Sequence, residues 1–495
     1  MLIDCKKVLS LIFLSPSNMT FSEKDQIYLK SKKLSQKEVE TQLEQLHQGT
    51  QMLHIKRPAT VDDGIVRLSG EEQFYYVNLF DRVANGMEIL RFTPASGAAS
   101  RMFKHLMDPE NPKNKALVDE FISRIGDFAF SDLIIKSSDK QRVISQVLSE
   151  EGLNYEQLPK ALIHFHRYDD HIRTAFEEQF VEASNYALQQ AQLNFHFTIS
   201  EDHQPEYDRT WSSIKPLLEK MLGCNITVNY SYQHSSTDTV SISTDGKLVR
   251  QESGEILLRP GGHGALISNL NQLEADIVFM KNIDNVAREE YHEEVMQYKK
   301  VLAGYLIEYR EQVYEILSWC ETGFMTDKQK EIVRDFTLKH LGVDLKNASV
   351  DKINKLYDRP IRVCGMVRNE GKAGGGPFWV DYKGMESLQI VEAAQFDDSQ
   401  KELLEKSTHF NPVDIICSVR DHHGKKYNLH DYIDQSAYFI ADKSYQGQEI
   451  KVLERPGLWN GGMAHWNTIF IEVPVETFFP VKTVNDLLQV AHSGI

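Results

Sequence analysis

Between residues 195 and 280, short runs of β-branched and aromatic residues take turns with helical stretches, and few folds are open to a chain that alternates in this way. The spacing predicts strands at 195–199, 226–230, 239–243, 256–258 and 275–280, with helices at 205–222 and 263–272 between them. A parallel strand needs a crossover, and the helices supply it, so the pattern implies an α/β fold with a doubly wound, mixed but mainly parallel sheet. Further strands are expected at 89–93, 361–367, 389–393, 450–453 and 468–473. Residues 71–88 read as an amphipathic helix, 115–190 as almost wholly helical and 286–342 as a long helical stretch. Near the start, Leu34, Val39, Leu43 and Leu46 recur at helical spacing in a Lys- and Glu-rich segment, 22–48. The division is then an N-terminal extension and helical cap over 1–85, followed by an α/β domain over 86–490 with helical insertions near 115–190 and 286–342.

Charge narrows the partners. A net charge of −16 and a pI near 5.6 oppose the counterion release that drives binding to nucleic-acid backbones and anionic membranes, so neither is expected. An anionic nucleotide remains compatible, because local N–H groups, Lys, Arg and a divalent ion outweigh a distant field. Five scattered cysteines (Cys5, Cys224, Cys320, Cys364, Cys417) without a CxxC pair suggest neither disulfides nor zinc, and a reducing, cytoplasmic setting fits. The apolar run from Val8 to Leu14 is too short to span a bilayer and lacks a cleavage site; Met19 reads as an alternative start.

The chemistry gathers in a few loops. Ile89 to Arg101 is an apolar strand entering a loop of small residues that ends in Ser100-Arg101. Small side chains let backbone N–H groups approach a phosphate, and Arg101 offsets its charge; a plain βα turn has about even odds. Arg259-Pro-Gly-Gly-His-Gly-Ala-Leu266 is a glycine-rich loop suited to lie flat against a planar base. The buried strand from Ala275 ends at Asp284-Asn285, where a carboxylate either holds a metal or caps a following helix.

These pieces resemble sugar nucleotidyltransferases. Ala95, Gly97, Ala98, Ser100 and Arg101 lie along that group's signature loop, Ala-Gly-Gly-x-Gly-Thr-Arg, while Ser96 and Ala99 stand where it has glycine. His196 to Ser200 and Tyr232-Gln233 resemble strands of UDP-N-acetylhexosamine pyrophosphorylases, and Pro260 to Leu266 resembles their base-holding Pro-Asp-Gly-Asn-Gly-Gly-Leu loop. The resemblance implies nucleotide contacts from Gln233, Gly261, Gly262, His263 and Gly264, and Mg²⁺ on Asp284. It also implies sugar or phosphate contacts from Glu392, Asn411 and Lys482, and a second metal ligand at Asp414. The group's phosphate lysine follows a proline shortly after the arginine; Lys104 comes early and Pro112-Lys113 late, and Lys104 is preferred. The chain is identified as a member of domain-of-unknown-function family 4301, and the sheet is expected to be of the nucleotide-diphospho-sugar transferase, GT-A-like type.

The activity so implied couples a sugar-1-phosphate to a nucleoside triphosphate with release of pyrophosphate. A glycosyltransferase is the first rival, although its usual Asp-x-Asp is missing at 275–285; a catalytically silent nucleotide-sugar-binding or regulatory protein is the second, favoured by Ser96 and Ala99. Other clusters have bland readings. Ile163 to His166 with His171, Arg173 and Glu177-Glu178 reads as helical core and surface histidines, and His422-His423 as a polar turn. Trp459 and Trp466 either shape a sugar pocket or close the core. No GxSxG, Walker A or HExxH motif is present.

Overall fold

Seven strands carry the architecture: β1 (Ile89–Pro94), β2 (Gln192–Ile199), β3 (Asn225–Tyr232), β4 (Ile277–Lys281), β5 (Ile361–Arg368), β6 (His409–Ser418) and β7 (Asn467–Glu472). The computed structural model describes residues 21–371, 375–382 and 385–494, so the readings of Cys5, of the run from Val8 to Leu14 and of Met19 lie outside the described residues. The strands lie in the order β3-β2-β1-β4-β6-β5-β7, and two short segments, Gly64–Val66 and Thr60–Val61, extend the β7 edge. β6 alone runs against its neighbours, with Lys281 opposite Asp414 and Arg362 opposite Cys417; β1, β2, β3 and β4 pair in parallel. The order reverses between β1 and β4, the place where open α/β sheets form a crevice at their carboxyl ends.

Alternation along the strands divides the core between the faces. Ile277 and Phe279 join one cluster while Val278 and Met280 join the other, as a period of two demands of a strand buried on both sides. The first face packs against α1 (Ala175–Ser184), α2 (Gln204–Leu222), α3 (His292–Glu321) and the helix Gly70–Val83. Behind β2, the rings of Phe176, Phe180 and Trp211 meet Phe195 and Phe197 with centroids as close as 4.5 Å. The second face departs from the doubly wound expectation. Its apolar cluster takes residues from the short helix Leu266–Leu270, from the strands Gly376–Tyr382 and Met385–Val391, and from two separate segments, one bearing Leu429 and the other Leu458, Met463 and Trp466, and among the described residues none from a long helix.

The region 115–190 was expected to be almost wholly helical and is instead mixed. Helices cover Lys115–Ser123, Lys140–Leu148 and α1, but His164–Arg167 and Ile172–Thr174 form a hairpin. Asp169-Asp170 turns it, and Thr174 then starts α1 with a capping box to Glu177. The predicted stretch 286–342 is likewise two helices, α3 and Asp327–Leu341, the second begun by a Thr326 box. Sequence reading missed the strand Gly376–Tyr382 and all of β6. The N-terminal helices Glu23–Ser31 and Gln36–Gln48 pack Leu29, Leu34, Val39, Leu43 and Leu46 onto a separate four-stranded sheet, so this cap is fastened by apolar burial. Among the described residues no helix is long and apolar enough to cross a membrane. Cys224, Cys320, Cys364 and Cys417 are free and buried.

One buried cluster joins five elements. Arg91 on β1, Lys281 on β4, Lys299 on α3, Glu182 on α1 and Asp414 on β6 are all buried. Lys281 Nζ donates to Glu182 Oε2 at 2.7 Å, Arg91 Nη2 lies 4.0 Å from Glu182 Oε1, and Lys299 donates to Asp414. Burial alone raises the Glu182 carboxyl, but Lys281 and Arg91 overcome it and bring it down to about 2; burial pushes Lys299 down to about 8.

Five histidines are held neutral by burial, with His164, His196 and His340 pushed down to about 4 and His166 and His492 to about 3. Their folded values lie below the unfolded value near 6.5, so the unfolded chain binds protons first and stability falls as pH drops below about 6.5. Glu178 and Asp238, which burial raises to about 7 and about 6, act in the opposite sense but are outnumbered. The urea midpoint is expected to be flat from pH 8 to 7 and to fall steadily from pH 6.5 to 4.5, by about 1.4 kcal/mol per pH unit for each net histidine at full slope. A flat profile across that window would contradict neutral burial of these rings.

Candidate active site

At the carboxyl end of β4 the chain leaves the sheet as Asn282-Ile283-Asp284-Asn285, and Asp284 turns into the crevice beside β1. Its Oδ2 accepts from Lys160 Nζ at 2.8 Å and from Lys482 Nζ at 3.1 Å. The Asp284 and Lys160 side chains are 11% and 14% exposed, whereas Lys482 is 62% exposed. Burial pushes the Asp284 carboxyl up, yet the two ammonium groups more than reverse this and hold it below its ordinary range. Burial also lowers Lys160, against the pull of Asp284. The capping alternative for Asp284 does not hold, because the next helix, α3, begins only at His292 with Tyr291 at its cap.

Three segments far apart in sequence build this point. Val481 N donates to Asp284 O at 3.0 Å, Phe479 N donates to Asn285 Oδ1 at 2.8 Å, and Lys160 Nζ also donates to Val481 O. The small-residue loop supplies the third side: Lys160 N donates to Gly97 O at 3.1 Å, and Ala98 bridges Pro159. From below, Gln179 donates to Ile283 O at 3.2 Å while accepting from Arg91 Nη2 at 2.6 Å, which fixes the backbone just before Asp284.

The lysine beside Asp284 is not the one preferred from the sequence. Lys104 opens the short helix Lys104–Met107 and is exposed, and it is Lys160 whose ammonium bonds Asp284. The signal was present as Pro159-Lys160, a lysine just after a proline, but the folded segment between Lys104 and Leu158 separates it from the loop. That segment buries Met102, Phe103, Phe121, Phe128 and Val147 in a cluster of its own with Val481 and Leu487.

The remaining residues fall into three groups. Ala95 is buried at the end of β1, its carbonyl accepting from Tyr207, while Gly97, Ala98 and Arg101 are exposed and Ser100 is half-buried. Gln233 donates to Ser96 Oγ at 3.3 Å, tying the end of β3 to this loop. In the 261–264 loop, a Cβ on Gly261 would meet Thr237 O at 2.5 Å and one on Gly264 would meet Arg455 Cβ at 2.7 Å, so the chain's own packing demands those glycines. The ring of His263 lies against Trp459 at 5.2 Å and is half-buried, and burial lowers its pKa. Trp459 donates to Glu392 Oε1 at 3.3 Å, and Asn411 N donates to Gly375 O at 2.8 Å beside Glu392, so Glu392 and Asn411 meet around Gly375. Asp414 is committed elsewhere: its carboxylate is paired with Lys299 inside the core cluster and does not face the crevice loop as a metal ligand would.

The histidine clusters are structural. His166 lies on a strand, not a helix, and bonds Glu178 Oε1 at 3.0 Å and His492 Nδ1 at 2.9 Å. His422 and His423 both reach Glu321 Oε1, at 3.0 and 2.6 Å, but His422 Nδ1 is buried without the acceptor that a metal-bound imidazole requires.

Mg²⁺ asks for oxygen ligands, often one or two carboxylates, with substrate phosphates completing its shell. Asp284 fits a single-carboxylate site of that kind, and its two lysines suit phosphate oxygens.

A family model described as Domain of unknown function (DUF4301) matches residues 22–493. No curated protein matches the chain. Among solved structures, the chain is similar to the uridine diphosphate N-acetylglucosamine pyrophosphorylase from Trypanosoma brucei, with TM-score 0.50 and 12% identity over 94% of this chain and 79% of that one. A variant of UDP-glucose pyrophosphorylase from Leishmania major aligns at TM-score 0.47 and 12% identity, over 95% and 78%. At this identity the likeness is one of fold, a mixed α/β architecture.

The asymmetry of the two lysines gives a stability test. Lys160→Met leaves a buried carboxylate with one exposed partner and is expected to cost about 1–3 kcal/mol in urea unfolding. Lys482→Met is expected to cost only ~0–1 kcal/mol, as for an exposed ion pair. Equal losses would mean that the Asp284 environment is not as described.

Proposed function

The chain belongs to the family described as Domain of unknown function (DUF4301), and on that premise we propose that it is a sugar-phosphate nucleotidyltransferase, coupling a sugar-1-phosphate to a nucleoside triphosphate with release of pyrophosphate. The observation that carries this reading is the meeting of Asp284, Lys160 and Lys482 at the β1/β4 reversal, beside the small-residue loop. The strand order with antiparallel β6 supports the nucleotide-diphospho-sugar transferase, GT-A-like arrangement.

In such a transfer a sugar-phosphate oxygen attacks the α-phosphorus in line and pyrophosphate leaves, so the protein's work is positioning and neutralising charge. The loop from Ala95 to Ser100 receives the triphosphate, with Arg101 at its rim and Lys160 beneath it. Exposed Lys482 swings from Asp284 to the sugar phosphate. Glu392 and Asn411 accept and donate to sugar hydroxyls, and Gln233 and the 261–264 loop border the base. Mg²⁺ would be held by Asp284 with substrate phosphates and would supply neutralisation of the leaving group. A silent nucleotide-sugar-binding protein is the alternative, since Ser96 and Ala99 occupy positions where glycine is expected.

Exchange of labelled pyrophosphate into nucleoside triphosphate, with a panel of bases and nucleotide sugars, decides between them. Activity is expected, with Asp284→Asn and Lys160→Met each lowering turnover on the order of a hundredfold or more, and Lys104→Met leaving it near wild type. Binding without exchange on any pair assigns the silent role. Near-wild-type turnover in Asp284→Asn overturns the assignment of this carboxylate.

A further inference from the structure

A cavity of about 370 Å³ opens at the amino-terminal ends of β5 and β7, the opposite edge of the sheet from Asp284. It shares no lining residue with the candidate active site. Leu341, Leu356, Met385, Leu388 and the ring of Trp466 form apolar walls, and Arg359, just past the helix Val350–Tyr357, stands among them. The volume falls within the range of small-molecule pockets.

Arg359 gives the cavity its chemistry. Its Nε donates to Lys355 O at 2.8 Å, and among the described residues no carboxylate lies within salt-bridge distance of its guanidinium. Burial lowers its pKa, with only Tyr432 acting against this. Neighbouring carboxylates are engaged elsewhere: Glu386 with Arg57 and Asp358 with the Tyr427 hydroxyl. Arg359 is half-buried at the apolar wall with no carboxylate among the described residues on its guanidinium, a fork geometry that suits a ligand's carboxylate, sulfonate or phosphate. We propose that this cavity binds a small organic acid, its carboxylate, sulfonate or phosphate head on Arg359 and its apolar body against Leu341, Leu356, Leu388 and Trp466.

Anilinonaphthalene sulfonate, which has this form, is the probe. Titrated into the full chain, it is expected to bind saturably at one per chain, with energy transfer from tryptophan. Arg359→Met is expected to weaken binding at least tenfold without lowering the urea midpoint, because it removes an unpaired cation. Met385→Trp, at a position 46% exposed and tolerant of change, narrows the mouth and is expected to weaken binding similarly. Equal affinity in wild type and both variants, or no saturable binding, overturns the proposal. So does a lower urea midpoint in Arg359→Met, which would make the arginine structural. None of these outcomes depends on nucleotide chemistry.

Discussion

The fold turns on a set of charges that have no access to water. Arg91, Lys281, Lys299, Glu182 and Asp414 come from five different elements, and three cations face two carboxylates. Removing a member of either close pair, Lys281–Glu182 or Lys299–Asp414, leaves its partner's charge poorly compensated in the core, on the order of 3–5 kcal/mol. Apolar packing holds these elements together in general, but the close ion pairs also specify which strand lies beside which, since Lys281 and Lys299 meet their carboxylates in one register only. The antiparallel setting of β6 between β4 and β5 places Asp414 opposite Lys281 and within reach of Lys299. Through Gln179 the same cluster reaches the backbone at Ile283, one residue before Asp284, so the core and the crevice are mechanically continuous.

Much of this was legible in the sequence. β1 to β5 and β7 carry long β-branched or apolar runs bounded by turn residues, and each was found within a few residues. β6 was missed because His409-Phe-Asn-Pro-Val-Asp414 interrupts its hydrophobic pattern with polar residues and a proline, which the structure accommodates at a bulge where Val413 has φ +61°. The hairpin at 164–174 was read as helix because its histidines and arginines suit either period; their long-range partners, Glu178, His492 and Glu289, decide.

Within the site, Asp284 on a strand end and Lys482 within a motif were named from the sequence, and Lys160 was not. Asp284 follows directly from a buried strand. Lys160 could not be placed by counting from Arg101, because the intervening segment has a core of its own. Asp414 drew attention as a carboxylate in the right order along the chain, yet its charge is taken up by Lys299, whose position on α3 no local pattern discloses.

Asp284, Lys160 and Lys482 also set a timetable. Lys482 follows Asp284 by 198 residues, and Val481 is hydrogen-bonded to both Asp284 and Lys160, across 321 residues in the latter case. Contacts of such separation close late, after the loop entropy between them has been overcome. During synthesis the sheet from β1 to β4 emerges first, carrying a buried-strand aspartate with half its partners still inside the ribosome. On a nascent chain the Asp284 carboxylate is balanced by Lys160 alone, while the backbone beside it still lacks its bonds from Phe479 and Val481. Docking of the 479–482 segment adds the second ammonium and turns a balanced pair into one with a positive charge to spare, so the crevice gains its full pull on anions last.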